Sequence, residues 1–353
     1  MADDSQPLLT GLLRQVSRSF YLTLRVLPGA VRPQIGLAYL LARTTDTIAD
    51  TDILPTQERL NALGLLRARI MGHKREPLNF GALARQQGDP AERTLLEQVE
   101  QSLALLDELT PEDLGLVRQV IDTITSGQEM DLLRFEGRAD GPLSAVSDNC
   151  PWRARSDTPC QIIALQTEAD LDDYTYRVAG CVGEFWTKMC RAHLFPEAKL
   201  DDAQLLRDGV RFGKGLQLVN ILRDLPEDLH QGRCYIPADS LSRKGLCPND
   251  LRSANTEPKF RPLYHALLNS AEEHLAAGWA YTAALPVGQW RVRFACALPV
   301  LIGVRTLELL RKVNVLDAGQ RVKVSRAEVK DLMLRVATRL PSASMFKALY
   351  PGK

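Results

Sequence analysis

The stretch YLLARTTDTIAD, residues 39–50, decides how the chain is to be read. Tyr39, Arg43, Asp46 and Asp50 are spaced 4, 3 and 4 apart, which at a helical period puts them on one face. Leu37, Leu40, Leu41 and Ile48 cover much of the remaining surface. The segment is therefore a helix with one polar line on an otherwise apolar cylinder. Two aspartates four apart repel by roughly 0.2–0.5 kcal/mol on an exposed helix. Taking acids out of water without partners costs far more.

A second stretch, LQLVNILRDLPEDL at 216–229, repeats the design. Gln217, Asn220, Asp224 and Asp228 are spaced 3, 4 and 4 among Leu218, Val219, Ile221, Leu222 and Leu225. One such acidic pair is ordinarily a solvated face. Two narrow lines on apolar helices ask for a common partner, and facing carboxylates usually take a divalent cation. Mg²⁺ prefers oxygen ligands, keeps several waters and shares carboxylates with substrate phosphates. The expectation is a magnesium site that carries a diphosphate. Pro226, inside the second stripe, is expected to kink its helix and to displace Asp228 from Asp224.

Working outward, nearly every periodic segment is helical. TPEDLGLVRQVIDTI opens with Thr110 as N-cap, Pro111 at the first helical position and Asp113 in the box position. Leu114, Val117, Ile121 and Ile124 follow on one face. YTYRVAGCVGEFWTKM repeats the pattern through Val178, Val182, Phe185 and Met189, and AEEHLAAGWAYTAAL reads alike. Breaks fall at Pro55, Gly88–Pro90 and Pro237. Residues 137–159, rich in Ser, Asp, Pro and Gly, have no period and read as a long loop. The chain of 353 residues is expected to form one all-α domain, 1–353, in which about 290–353 completes the pocket.

Composition removes several classes. The formal net charge is +1 and no basic run is long, so no nucleic-acid partner is expected. Seven scattered cysteines without a C-x-x-C pair suggest free thiols in a reducing compartment. The opening MADDSQPLLTGLL lacks the basic start of a signal peptide. The apolar run FACALPVLIGV, 294–304, is far short of the about 20 residues a spanning helix needs. The expected location is cytoplasmic, with peripheral contact to a membrane. Gly213-Lys214-Gly215 lacks the context of a P-loop, and no dinucleotide fingerprint, H-E-x-x-H or nucleophile elbow is present.

SRSFYLTLRVLP (17–28), YLLARTTDTIAD (39–50), YTYRVAGCVG (174–183) and LQLVNILRDLPEDL (216–229), followed by GRCYIP, together resemble the squalene/phytoene synthases. The resemblance implies an isoprenoid-synthase fold, all-α with a central cavity, and head-to-head joining of two prenyl diphosphates. It implies that Asp46, Asp50, Asp224 and Asp228, with Glu227, hold Mg²⁺. Arg43 and Arg223 would pair with diphosphate oxygens. Ser17, Arg18 and Ser19 resemble the flap over the diphosphate, and Phe20 would face the allylic chain. Tyr174 matches a tyrosine associated with proton removal or cation guidance, and aromatic faces steady a cation by roughly 0.5–2 kcal/mol each. Tyr39, Gln217 and Asn220 would line the substrate site.

Within the family, FACALPVLIGV resembles the squalene synthase segment that lines the chain pocket around Cys296 and Pro299. RVKVSRAEVKDLM, 321–333, resembles a stretch linked to reduction, with Lys323 and Arg326 as candidates to meet NADPH. The implied activity is that of a squalene synthase: two farnesyl diphosphates give presqualene diphosphate, which NADPH reduces to squalene. A phytoene or dehydrosqualene synthase would need no reductant. A terpene cyclase would use one substrate molecule, and a helical scaffold would not need the acidic lines. Oligomeric state is not legible.

Overall fold

The computed structural model describes residues 20–51, 54–135, 162–317 and 319–350, together with Gly11, Leu13 and Val16; for residues 20–22 only the backbone is described. The proposed flap, Ser17, Arg18 and Ser19, the side chain of Phe20 and the 137–159 loop lie outside the described residues.

Fifteen α-helices follow in order among the described residues. These are α1 (Phe20–Val26), α2 (Arg32–Ala49), α3 (Thr56–Ile70), α4 (Gly81–Gln86), α5 (Pro90–Glu97), α6 (Val99–Ala104), α7 (Pro111–Phe135) and α8 (Glu168–Thr175). After them come α9 (Cys181–Leu194), α10 (Asp202–His230), α11 (Ala238–Ser242), α12 (Glu257–Ala284), α13 (Trp290–Leu310), α14 (Arg326–Arg339) and α15 (Ala343–Lys347). One short parallel ladder joins β1 (Ile163–Ala164) to β2 (Arg233–Cys234). The fold is all-α, as the periodicity required, and the breaks fall where proline and glycine put them. Pro55 precedes α3, Asp89 caps α5 with Pro90 at its start, and Pro237 precedes α11.

The start of α7 differs in one respect from the reading of its sequence. Thr110 Oγ1 accepts from the Asp113 amide at 3.2 Å, as a cap does. The Asp113 carboxylate does not return to the cap; it takes His193 Nε2 at 2.7 Å and Gln34 Nε2 at 3.1 Å. Asp113 is almost fully buried, so the carboxylate serves α2, α7 and α9 together.

Pro226 does not break α10, which runs through it to His230. A proline nitrogen cannot donate to the carbonyl four residues back, here that of Leu222. The buried Tyr264 hydroxyl of α12 supplies the bond instead, 2.9 Å from the Leu222 oxygen. Tyr264→Phe leaves that carbonyl with one donor fewer in an apolar setting. The expected loss is about 1–3 kcal/mol of unfolding free energy, read by denaturant titration. An unchanged midpoint would mean that another donor serves Leu222.

Apolar side chains gather in three clusters. One is built on α10, α12 and α13, with Leu222, Leu268 and Val300 fully or almost fully buried. A second is built on α2, α3 and α7, around Leu40, Leu63 and Val117. A smaller third holds Cys190, Tyr281, Val292 and Cys296. The C-terminal elements close over the first: Phe346 of α15 stacks on Trp279 at 5.0 Å, and the Arg293 guanidinium lies 4.2 Å above the Phe346 ring. The functional cavity lies along the seam where the three clusters meet.

Candidate active site

Helices α8 and α9 are joined by a π-helical turn, Tyr176–Gly180. The helical reading from Val178 to Met189 is thus interrupted by one wider turn at its start. Such turns concentrate at functional sites because they re-aim side chains. Here Val178 and Ala179 border an apolar tunnel of about 330 Å³, with Val182, Phe185 and Trp186 farther along α9. Tyr39, Gln217, Asn220, Cys296 and Pro299, all expected at the substrate, line the same tunnel. Glycines let the helices close around it. A Cβ at Gly183 would fall 1.9 Å from the Gly209 carbonyl oxygen, and one at Gly213 2.1 Å from that of Ala179. Gly183 thus serves both helix approach and tunnel lining. Gly213-Lys214-Gly215 is packing surface of α10, not a phosphate loop.

At one end the tunnel shares Ile124, Val178 and Gln217 with a polar chamber of about 280 Å³. The chamber is lined by Asp46, Asp50, Gln128, Asp131, Tyr174, Arg233 and Tyr235. Asp46 lies in the last turn of α2, and Asp50 is its C-cap. Asp224 and Asp228 lie in the last two turns of α10. Both acidic pairs therefore sit where the helix dipole is already negative. Burial first, then Asp46, holds the Asp50 carboxyl above the usual carboxylate range. Burial, then Asp224, pushes Asp228 up to about 7. Asp46 is also held high by burial, although 51% of its side chain faces solvent, which is the mark of a group inside an open cleft.

The cations close to these acids are fixed. Arg43 lies 3.4 Å from Asp46 and also pairs with Glu92 of α5. Gln128 donates to the other Asp46 oxygen at 2.8 Å. Arg223 grips Asp224 with two hydrogen bonds, 2.8 and 2.6 Å. Neither arginine lines the chamber; Arg233 does, and it opposes the raised carboxyls of Asp50, Asp131 and Asp228 alike. Beneath α2, buried Arg59 donates to the Ala49 carbonyl at 2.8 Å. Glu227 is 62% exposed and lies 4.0 Å from Arg321. Lys323 and Arg326 are exposed and line neither the chamber nor the tunnel.

Arg233, Asp131 and Tyr235 were not singled out from the sequence. Arg233 and Tyr235 sit in the GRCYIP run, where the β1–β2 ladder pins them: Ile163 N to Gly232 O is 2.9 Å, and Leu165 N to Cys234 O is 3.0 Å. Asp131 follows Gln128 by three residues on α7, a helical step that could have signalled it.

Among the described residues, no three His, Cys, Asp or Glu side chains form a ready ligand cluster. Each stripe instead offers two carboxylates, and that suits an ion completing its shell with water and phosphate oxygens. The like-charged pairs at negative helix ends are the part of the donor set that fits a cation. A stability signature follows. The Asp131 carboxyl, pushed up to about 6 mainly by burial, and Asp228 both sit above the unfolded value of about 3.9. Their contribution to stability is full below about pH 4 and is lost as pH rises through about 6–7. Asp131→Asn and Asp228→Asn should each gain in melting temperature relative to wild type between pH 5 and pH 8. Calorimetry checks this; parallel curves would contradict it.

The family model described as squalene/phytoene synthase matches residues 13–328. The chain is 30% identical to presqualene diphosphate synthase of Zymomonas mobilis, over 78% of this chain and 74% of that one. It is 33% identical to phytoene synthase of Thermus thermophilus, over 51% of this chain and 58% of that one. A solved ligand complex of TcSQS superposes with a TM-score of 0.74 at 20% identity, covering 99% and 93% of the two chains. The chain belongs to the squalene/phytoene synthase family and is a prenyltransferase of the head-to-head type.

Proposed function

We propose that the enzyme couples two farnesyl diphosphates head to head to give presqualene diphosphate. The observation that carries this reading is the continuity of an acidic, arginine-containing chamber with an apolar tunnel through Ile124, Val178 and Gln217. A diphosphate ester with a long hydrocarbon tail has that same division of polarity. Identity to presqualene diphosphate synthases over about three quarters of the chain supports it.

Asp46 and Asp50 on one side, and Asp224 and Asp228 on the other, would hold Mg²⁺. When bound, the metal supplies Lewis acidity and charge neutralisation for diphosphate departure. Arg233 faces the chamber and would meet diphosphate oxygens directly. Arg43 and Arg223 orient Asp46 and Asp224 and would follow them to the ligand. Apolar lining from Phe185, Trp186, Phe212 and Ala295 excludes water from an allylic cation.

NADPH-dependent reduction to squalene is the second reading. The Arg321–Glu227 approach places the basic segment that carries Lys323 and Arg326 beside the end of α10. One assay tests both readings. Purified enzyme receives farnesyl diphosphate and Mg²⁺, with and without NADPH, and the extract is read by mass spectrometry. Presqualene diphosphate under both conditions is expected from coupling alone; squalene confined to the NADPH sample establishes the reductive step. Phytoene from the C20 diphosphate with no C15 conversion overturns the substrate assignment.

A further inference from the structure

We propose that Asp131 is a positioning residue of the coupling reaction, holding the Tyr235 and Tyr174 phenols on the chamber wall as a proton-accepting relay. The inference rests on the coupling reaction proposed above. Four observations carry it. The Tyr235 hydroxyl donates to Asp131 Oδ2 at 2.7 Å. Tyr174 stacks on Tyr235, with centroids 4.7 Å apart at 25°, and its hydroxyl interacts with both the Tyr235 hydroxyl and the Asp131 carboxylate. Phe135 packs edge-on against Tyr235 at 5.3 Å, so the pair cannot swing freely. All three polar residues line the chamber.

Asp131 also keeps its second oxygen, Oδ1, buried without a hydrogen-bond partner among the described residues. Leaving such an acceptor unsatisfied is costly, and it persists where function requires it. Asp131 stands apart from the acidic pairs of α2 and α10, on α7.

The chemistry gives this carboxylate a task. Departure of diphosphate with its electron pair leaves an allylic cation, and attack by the second substrate's double bond leaves a tertiary cation. Closing the three-membered ring uses the electron pair of an adjacent C–H bond and expels its proton. A neutral phenol is a poor acceptor unless it can pass on its own proton. In the relay, Tyr174 oxygen takes the substrate proton and gives its own to Tyr235. Tyr235 gives its proton to Asp131, which ends as a carboxylic acid and later loses it to solvent. Burial raises both phenols well above their ordinary range, so each stays protonated and fit to relay. The raised carboxyl suits an acceptor working near neutrality.

The experiment compares wild type, Asp131→Asn, Tyr235→Phe and the double variant of the full chain, supplied with farnesyl diphosphate and Mg²⁺. C30 product, farnesol and released diphosphate are measured separately. The expected result for Asp131→Asn is a fall in kcat for C30 product of about 100-fold, with KM within about two-fold. Diphosphate release should fall much less, and farnesol should rise as the stranded cation is captured by water. Tyr235→Phe should match it, and the double variant should be no worse than the single. Wild-type kcat in either single variant overturns the inference. So does a parallel loss of diphosphate release and C30 product, because that places Asp131 before the cation forms. Should Asp131→Asn fail to fold, Tyr235→Phe decides alone. A wild-type control that makes no C30 product fails the coupling reading itself; the same comparison then runs on the C20 substrate.

Discussion

Asp50→Ala is expected to lower kcat by about 1,000-fold or more, which corresponds to about 4 kcal/mol of transition-state stabilisation. The same change should leave the melting temperature unchanged or raise it. Asp50 caps the C-terminal end of α2, where the helix dipole is negative, and stands one turn beyond Asp46. Its carboxyl is held high by burial and then by Asp46, so the ligand-free fold gains by its removal. A group that costs stability yet is required for turnover is a group kept for its ligand. Steady-state kinetics and calorimetry on one preparation test this. Loss of activity with an equal loss of thermal stability would mark Asp50 as structural. Full activity would sink the cation-site reading.

The second large effect lies in the helix crossing. Gly183→Ala should cost about 3 kcal/mol or more, because overpacking against rigid backbone has no flexible side chain to absorb it. The added methyl would meet the Gly209 carbonyl oxygen at 1.9 Å, and α9 and α10 must separate to admit it. Gly183 also lines the tunnel, so the displacement reaches the hydrocarbon site. Expected are a melting temperature lowered by several degrees and a raised KM for the long-chain substrate. Gly115→Ala is the control: nothing lies within 4 Å of a Cβ there, and replacing glycine inside a helix should stabilise by roughly 0.5–1 kcal/mol. Equal behaviour of the two variants would remove the packing argument.

Much of this arrangement was legible in the residues themselves. The 3.6 period of residues 111–124 and the two polar lines on apolar helices fixed element type and direction. They did so because each depends on neighbours within two turns. The lining roles of Tyr39, Gln217, Asn220, Cys296 and Pro299 came from motif resemblance, and the tunnel contains all five. The helix continues past Pro226, and the hydroxyl that replaces the missing amide lies on Tyr264, 42 residues from the carbonyl it serves. The Asp113 carboxylate left its cap for His193, 80 residues away, and for Gln34, because a buried carboxylate needs hydrogen-bond partners and α2 and α9 bring them to it.

The sequence by itself determined the all-α class and the two acidic lines, since periodicity and side-chain chemistry are local properties. Tertiary structure alone decided that Asp46 and Asp50 line the chamber while Asp224 and Asp228 do not, that Arg233 acts on Asp50 and Asp228 alike, and that Asp131 meets Tyr235 across 104 residues. Those pairings depend on how α2, α7 and α10 cross and on a two-residue ladder that holds Arg233 in place. Crossing and register are set by the summed packing of many side chains, and no short stretch of sequence contains that sum.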